Sequence, residues 1–202
     1  MEIFDCDQNS DEWLRVRCGI PTASAFKDVL AKGQGKTRRT YMLKLAGEII
    51  TGEPSENFTN SHMDRGHEME ADARETYAFM NDADPQLVGF VRNGRKGASP
   101  DALIGDAGAA EFKSKMPHIL ADVLLRDEIP SEHVAQVQGV LWVCEREWCD
   151  FVAYWPKMPL FIKRVCRDEN YIKTLAAEIN RFNDELDATV EKLRRYGQEE
   201  AA

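Results

Sequence analysis

No stretch of this 202-residue chain approaches the roughly 18 consecutive apolar residues that a membrane helix needs. The opening MEIFDCDQNSDEW has neither a basic start nor an apolar run of signal-peptide length. The expectation is a soluble intracellular protein with no membrane partner. Five cysteines (Cys6, Cys18, Cys144, Cys149, Cys166) are odd in number and scattered, without a CxxC pair, and the histidines His62, His67, His118 and His133 show no ligand spacing. Neither a disulfide framework nor a zinc site is indicated, and the cysteines are expected to be small buried hydrophobes. Internal repeats and low-complexity segments are also missing. With 43% hydrophobic residues, one core and a single domain over residues 1–202 suffice.

Positive charge is scarce overall. A net charge of −9 argues at first sight against a nucleic-acid partner, because phosphate binding is driven by Lys and Arg. The distribution says otherwise: between residues 15 and 44, eight basic residues (Arg15, Arg17, Lys27, Lys32, Lys36, Arg38, Arg39, Lys44) face one acid, Asp28, a local charge of +7. A ligand meets a surface and not a net charge. The competing reading is a solvated basic face beside a loop.

Helical signals begin with SDEWLRVR, capped by Ser10 or Asp11, and TASAFKDVLAK, which follows the Gly19-Ile20-Pro21 turn. KGQGK reads as a loop. Helical spacing returns at about 38–50, 61–80, 119–127 and 131–145, and over about 168–196 apolar residues every three or four positions predict a long amphipathic helix. QLVGFVRN, KGAS, ALIG and AAEFKSK read as short strands of an antiparallel meander, with further strands in WCDFVAYWP and LFIKRVC. The expected architecture is α/β (α+β), a central mixed sheet flanked by helices.

The stretch ASPDALIGDAGAAEFKSK, residues 98–115, carries the chemistry. A carboxylate at the end of one strand and another within its neighbour converge if the ten residues between Asp101 and Glu111 fold as a hairpin. The period of two in E-F-K puts Glu111 and Lys113 on one strand face, with Phe112 pointing into the core. Mg²⁺ takes few protein oxygens and keeps waters, which suits Asp101, Glu111 and the Phe112 backbone carbonyl. Lys113 would then hold, or help deprotonate, a water for attack on phosphorus. The plainer alternative has Asp101 making a turn and Glu111 with Lys113 forming a surface ion pair.

Pro100-Asp101 with Glu111-Phe112-Lys113 resembles the PD-(D/E)xK nuclease signature. Flanking blocks resemble the lambda exonuclease family (YqaJ-like viral and prophage recombination nucleases): EWLRVRCGIPTAS (12–24), RGHEMEADARETY (65–77), HVAQVQGVLWV (133–143) and DFVAYWPKMP (150–159). The resemblance spans roughly residues 11–165 and implies a restriction-endonuclease-like core. It implies that Glu70 is a further acidic ligand, that Gln136 sits by the scissile phosphate as part of the catalytic group, and that Arg17 and Ser24, with Thr22 beside them, receive a terminal phosphate. Lys32, Lys36, Arg38 and Arg39 are candidate DNA contacts.

The implied activity is a Mg²⁺-dependent exonuclease, with Mn²⁺ as a possible substitute, that degrades the 5′-ended strand of linear double-stranded DNA from 5′-phosphorylated ends. It would leave 3′ overhangs for a single-strand annealing partner. The resemblance also implies a ring-shaped homotrimer and a cytoplasmic location in a bacterial host. Rival expectations are a structure- or site-specific endonuclease and a non-catalytic DNA-binding recombination partner. Departures from the family are Ala102 in place of a common glycine, no cysteine-proline pair after Lys113, a compact 115–132 connector, and Gln34 about where an arginine is usual.

Overall fold

The chain opens with β1 (Glu2–Phe4) and α1 (Asp11–Val16), where the Ser10 hydroxyl accepts from the Trp13 N–H and caps the helix. A 3-10 turn (Ala23–Ala25) runs into α2 (Phe26–Leu30), followed by α3 (Lys36–Thr51) and α4 (Ser61–Asn81). Next come β2 (Pro85–Gln86), β3 (Phe90–Arg92), β4 (Gly97–Ala98), β5 (Ala102–Ile104) and β6 (Gly108–Ser114). Helices α5 (Pro117–Arg126) and α6 (Ser131–Val143) lead to β7 (Trp148–Tyr154), β8 (Phe161–Cys166) and the long α7 (Glu169–Arg194). This computed structural model describes residues 1–31, 36–55 and 61–196, with the backbone alone for 61–68. Among the described residues, no helix is long and apolar enough to cross a membrane.

Two sheets form. The larger has the order β2-β5-β6-β7-β8 and is mixed: β6 and β7 run parallel and the other pairs antiparallel. A parallel pair needs a long crossover, which α5 and α6 supply. Strand alternation then divides the residues of β6 between two helical layers. Ala110 and Phe112 pack with Ala73 and Tyr77 of α4, while Ala109 joins the main core with Val137 and Leu141 of α6 and Leu175, Ile179 and Phe182 of α7.

The expected meander is divided between sheets. β3 and β4 pair in a separate three-stranded sheet with β1, whereas β5 and β6 form the hairpin of the larger one. Pro100 has no N–H to give to a ladder, so pairing breaks there and the chain steps from one sheet to the other. The step is pinned by the Trp13 indole N–H, 2.8 Å from Ser99 Oγ and 3.1 Å from the Gly89 carbonyl. Trp13 is thus a core residue. Only Cys144 and Cys149 are buried; Cys6 and Cys18 are half-buried and Cys166 is exposed, against the expectation for all five.

One polar network fastens α4 to the sheet. Buried Asp150 accepts from Tyr77 Oη at 2.7 Å and from Arg164 Nε and Nη2, both at 2.9 Å, and the Arg164 guanidinium stacks 3.6 Å from the Trp148 ring centroid. Burial and Asp150 both raise the Tyr77 phenol above its ordinary pKa. Asp150→Ala would orphan a buried hydroxyl and half of a bidentate pair. It is expected to cost about 3 kcal/mol, the lower end for breaking such a pair because Arg164 reaches solvent. Urea unfolding measures this, and a cost under about 1 kcal/mol would contradict the network's role.

Candidate active site

The hairpin register places Ala102 opposite Ala110, so Asp101, one residue earlier, stands by Glu111. Arg146 holds the turn by donating to the carbonyls of Gly105 and Asp106. Asp101 Oδ2 accepts from the Phe112 N–H at 2.7 Å and from Lys113 Nζ at 3.1 Å, and Lys113 Nζ lies 2.9 Å from Glu111 Oε2. Gln136 of α6 donates to the same Glu111 oxygen at 2.5 Å. Glu111 is 0% exposed, which rules out the surface ion pair. Gln138 takes a structural role instead, donating to the Cys166 carbonyl and accepting from the Asp168 N–H.

Electrostatics at this cluster are those of crowded carboxylates. Burial raises the Glu111 carboxyl, and Asp101 and Glu70 raise it further against the pull of Lys113. Burial works against the Lys113 charge, but Asp101, Glu111 and Glu70 outweigh it and hold the ammonium well above its ordinary range. Glu70, on α4, lines a cavity of about 340 Å³ together with Asp101, Phe112 and the N-terminal segment from Asp5 to Asn9.

The oxygen set fits a hard divalent cation. Glu111 Oε1 is buried without a hydrogen-bond partner, an arrangement that costs free energy unless a cation completes it. The N–H and C=O of a strand residue face the same edge, so the Phe112 carbonyl lies on the side its N–H shares with Asp101. Among the described residues, no three His, Cys, Asp or Glu side chains form a closed cage. Two carboxylates and a carbonyl are the oxygen donors that a hard divalent cation takes, unlike the nitrogen and sulfur donors of a structural zinc cage.

Arg17, Thr22 and Ser24 meet elsewhere, around a cavity of about 560 Å³ also lined by Lys36, Tyr41, Lys44 and Glu48. The Arg17 guanidinium lies 3.8 Å from the Trp13 ring centroid and 3.5 Å from Thr22 Oγ1, so it pairs with neither Asp11 nor Glu12. Ser24 Oγ is 3.3 Å from Thr22 Oγ1 and caps no helix. The Thr22 N–H donates to Tyr41 Oη at 3.1 Å, so Arg17 and the hydroxyls are left as donors. Buried Glu48 accepts from the Gly19 N–H at 2.8 Å and from Ser55 N–H at 3.2 Å, fastening the turn that follows Arg17.

Helix α6 links the two places. A Cβ on Gly139 would lie 2.6 Å from Phe26 Cδ2 and 3.1 Å from Ala23 Cβ, so only glycine lets the 3-10 turn sit one helical turn from Gln136. Arg38 pairs with Glu185 at 2.5 Å and lies over Phe182, which ties α3 to α7. Arg39 is exposed. Lys32 and Gln34 lie outside the described residues.

A profile of the YqaJ-like viral recombinase domain matches residues 12–147. The chain belongs to that family. Among solved structures it is similar to the LHK-Exo alkaline exonuclease of Laribacter hongkongensis, at 31% identity over 95% of this chain and 100% of that one, with a TM-score of 0.85. LHK-Exo in complex with dAMP matches at 32% identity over the same shares, with a TM-score of 0.87. A phage-related exonuclease from Haemophilus somnus 129PT shares the fold at 11% identity and a TM-score of 0.67, covering 86% of this chain and 96% of that chain. No match is found among curated proteins.

In this YqaJ-like chain the fold is of the PD-(D/E)xK type, as the signature residues implied. Three contributors gave no local signal in the sequence. Gln8 donates to the carbonyls of Val88 and Pro100, each at 3.0 Å, bracing the residue before Asp101. Tyr41 and Glu48 hold the Arg17 cavity from α3, across 19 and 29 residues.

Proposed function

We propose that the chain is a divalent-metal-dependent exonuclease that degrades the 5′-ended strand of linear double-stranded DNA, leaving a 3′ overhang for a single-strand annealing partner. The observation that carries this reading is the convergence of Asp101, Glu111 and Lys113, with one Glu111 oxygen orphaned beside them. Family membership, the similar exonucleases and the nucleotide bound by one of them support it.

Mg²⁺, or Mn²⁺ in its place, would be held by Asp101, Glu111 and the Phe112 carbonyl, with Glu70 approaching from α4. Such an ion supplies Lewis-acid stabilisation of phosphoryl charge and a more acidic water. Lys113, donating between two carboxylates, is placed to orient the attacking water; a dication on the same carboxylates would weaken their hold on its proton and leave it freer to accept one. Gln136 holds Glu111 by donating to the oxygen that Lys113 also meets, and Phe112 anchors the strand beneath. The Arg17 cavity receives the 5′-phosphate and sets the direction of travel, with Lys36 beside it.

Linear duplex should be degraded with Mg²⁺ and spared in EDTA, and closed circular duplex should survive both. Nicking of the circle would favour an endonuclease. We further propose that three copies close a ring in the cytoplasm of a bacterial host, with basic segments lining its channel. A monomer mass by light scattering would remove the ring and leave the nuclease reading standing.

A further inference from the structure

One residue past the end of β6, the alternation that carries Glu111 and Lys113 brings one more cation to their face. Glu111, Lys113 and Lys115 alternate along the chain, and the Lys115 N–H continues the pairing with β7 by donating to the Tyr154 carbonyl at 3.1 Å. Two residues of strand advance about 7 Å, comparable with one nucleotide step. We propose that Lys115, held by His133, is a subsite for the backbone phosphate next to the one at Asp101, Glu111 and Lys113. This inference rests on the nuclease reading for its substrate class.

The partner of Lys115 distinguishes it from other cations of the sheet. Lys113 is met by Asp101 and Glu111, Lys163 by Asp127 and Arg164 by Asp150. Lys115 Nζ instead lies 2.7 Å from His133 Nε2. An ammonium only donates, so Nε2 accepts and the ring proton sits on Nδ1. The ring packs tilted against Phe151 with centroids 5.0 Å apart, and burial, then Lys115 and Lys113, push its pKa down to about 4. A neutral imidazole orients the ammonium without cancelling its charge. Lys115 also forms an ion pair with Glu132 at 3.6 Å, but the Glu132 side chain is 54% exposed, so water screens that pair.

Lys27 of α2 also acts on the His133 ring through space. Lys27, on the helix that continues the turn carrying Ser24, thus adds its positive charge to that of Lys115 and Lys113 around this ring. This positive stretch in an acidic chain suits a polyanion and not a single small ligand.

Lys115→Gln removes the charge while leaving an amide able to donate to His133. Anisotropy of a labelled duplex in EDTA, over a series of KCl concentrations, gives the slope of log Kobs against log [salt]. The variant should bind more weakly and its slope should be shallower by about 0.9, the share of one duplex phosphate contact. Lys115→Arg should restore the slope, and Lys173→Met, an exposed change on α7, should leave it untouched. A wild-type slope in Lys115→Gln, with an unchanged melting temperature, overturns the subsite. If Lys115→Gln does not fold, a Lys115→Arg slope that departs from wild type by a full contact overturns it equally. The measurement needs no cleavage, so a wild type that binds DNA but never cuts it with Mg²⁺ refutes the nuclease reading separately.

Discussion

Asp101→Asn and Glu111→Gln are expected to abolish DNA cleavage, and Lys113→Ala to slow it by about 10²-fold or more, the usual loss for a proton-transfer or water-positioning group. Glu111→Gln is the most informative. Its carboxylate is fully buried, burial and Asp101 hold its pKa up, and one of its oxygens has no partner. Replacing it with a neutral amide of the same shape removes a desolvated charge, so stability should hold or rise while activity disappears. Loss of activity with a lower urea midpoint would instead assign Glu111 to folding. Asp101→Asn acts differently, because Asp101 also accepts from the Phe112 N–H. An Asn side-chain oxygen can keep that bond, so the hairpin should persist while the cation loses a charged ligand. Near-normal turnover in Lys113→Ala would remove that residue from the chemistry.

The second large effect concerns the DNA end. Wild-type protein is expected to degrade 5′-phosphorylated duplex faster than 5′-hydroxyl duplex, and Arg17→Ala to shrink the difference about 10-fold or more by slowing the phosphorylated substrate. That magnitude corresponds to one charge-assisted hydrogen-bond pair of about 1.5–3 kcal/mol. The guanidinium is already held by the Trp13 ring and Thr22, so little ordering is left for a ligand to impose. A terminal phosphate carries one charge more than an internal phosphodiester, which is why the end and not the middle of a strand would be read here. Initial rates on the two substrates check this. Equal rates in the wild type would show that Arg17, Thr22 and Ser24 do not read the phosphate.

Much of this site was legible because its signals are local. The period of two in Glu111-Phe112-Lys113 placed acid and lysine on one face and the aromatic on the other, and the turn-rich interval to Asp101 folds as the hairpin it suggested. Helices with a periodic apolar stripe, such as α7 with Leu175, Ile179, Phe182 and Leu186 inward, were equally readable. Long-range contributors were not. β1 has three residues and pairs with β3 some 86 positions away in sequence (Phe4 with Phe90), leaving too little pattern to detect. The histidine spacing gave no sign that His133 meets a lysine 18 residues upstream, a contact that spacing rules do not cover. The step at Pro100 misled the strand reading because turn residues mark where pairing stops but not which sheet the next strand joins.

The most direct measurement is digestion of linear duplex labelled in separate samples at each 5′ and each 3′ end, with Mg²⁺ and with EDTA. The account predicts early release of the 5′ labels as mononucleotides, persistence of the 3′ labels on shortening duplex with single-stranded tails, and no release in EDTA. Early loss of the 3′ labels, internal fragments of discrete size, or cleavage in EDTA would contradict it.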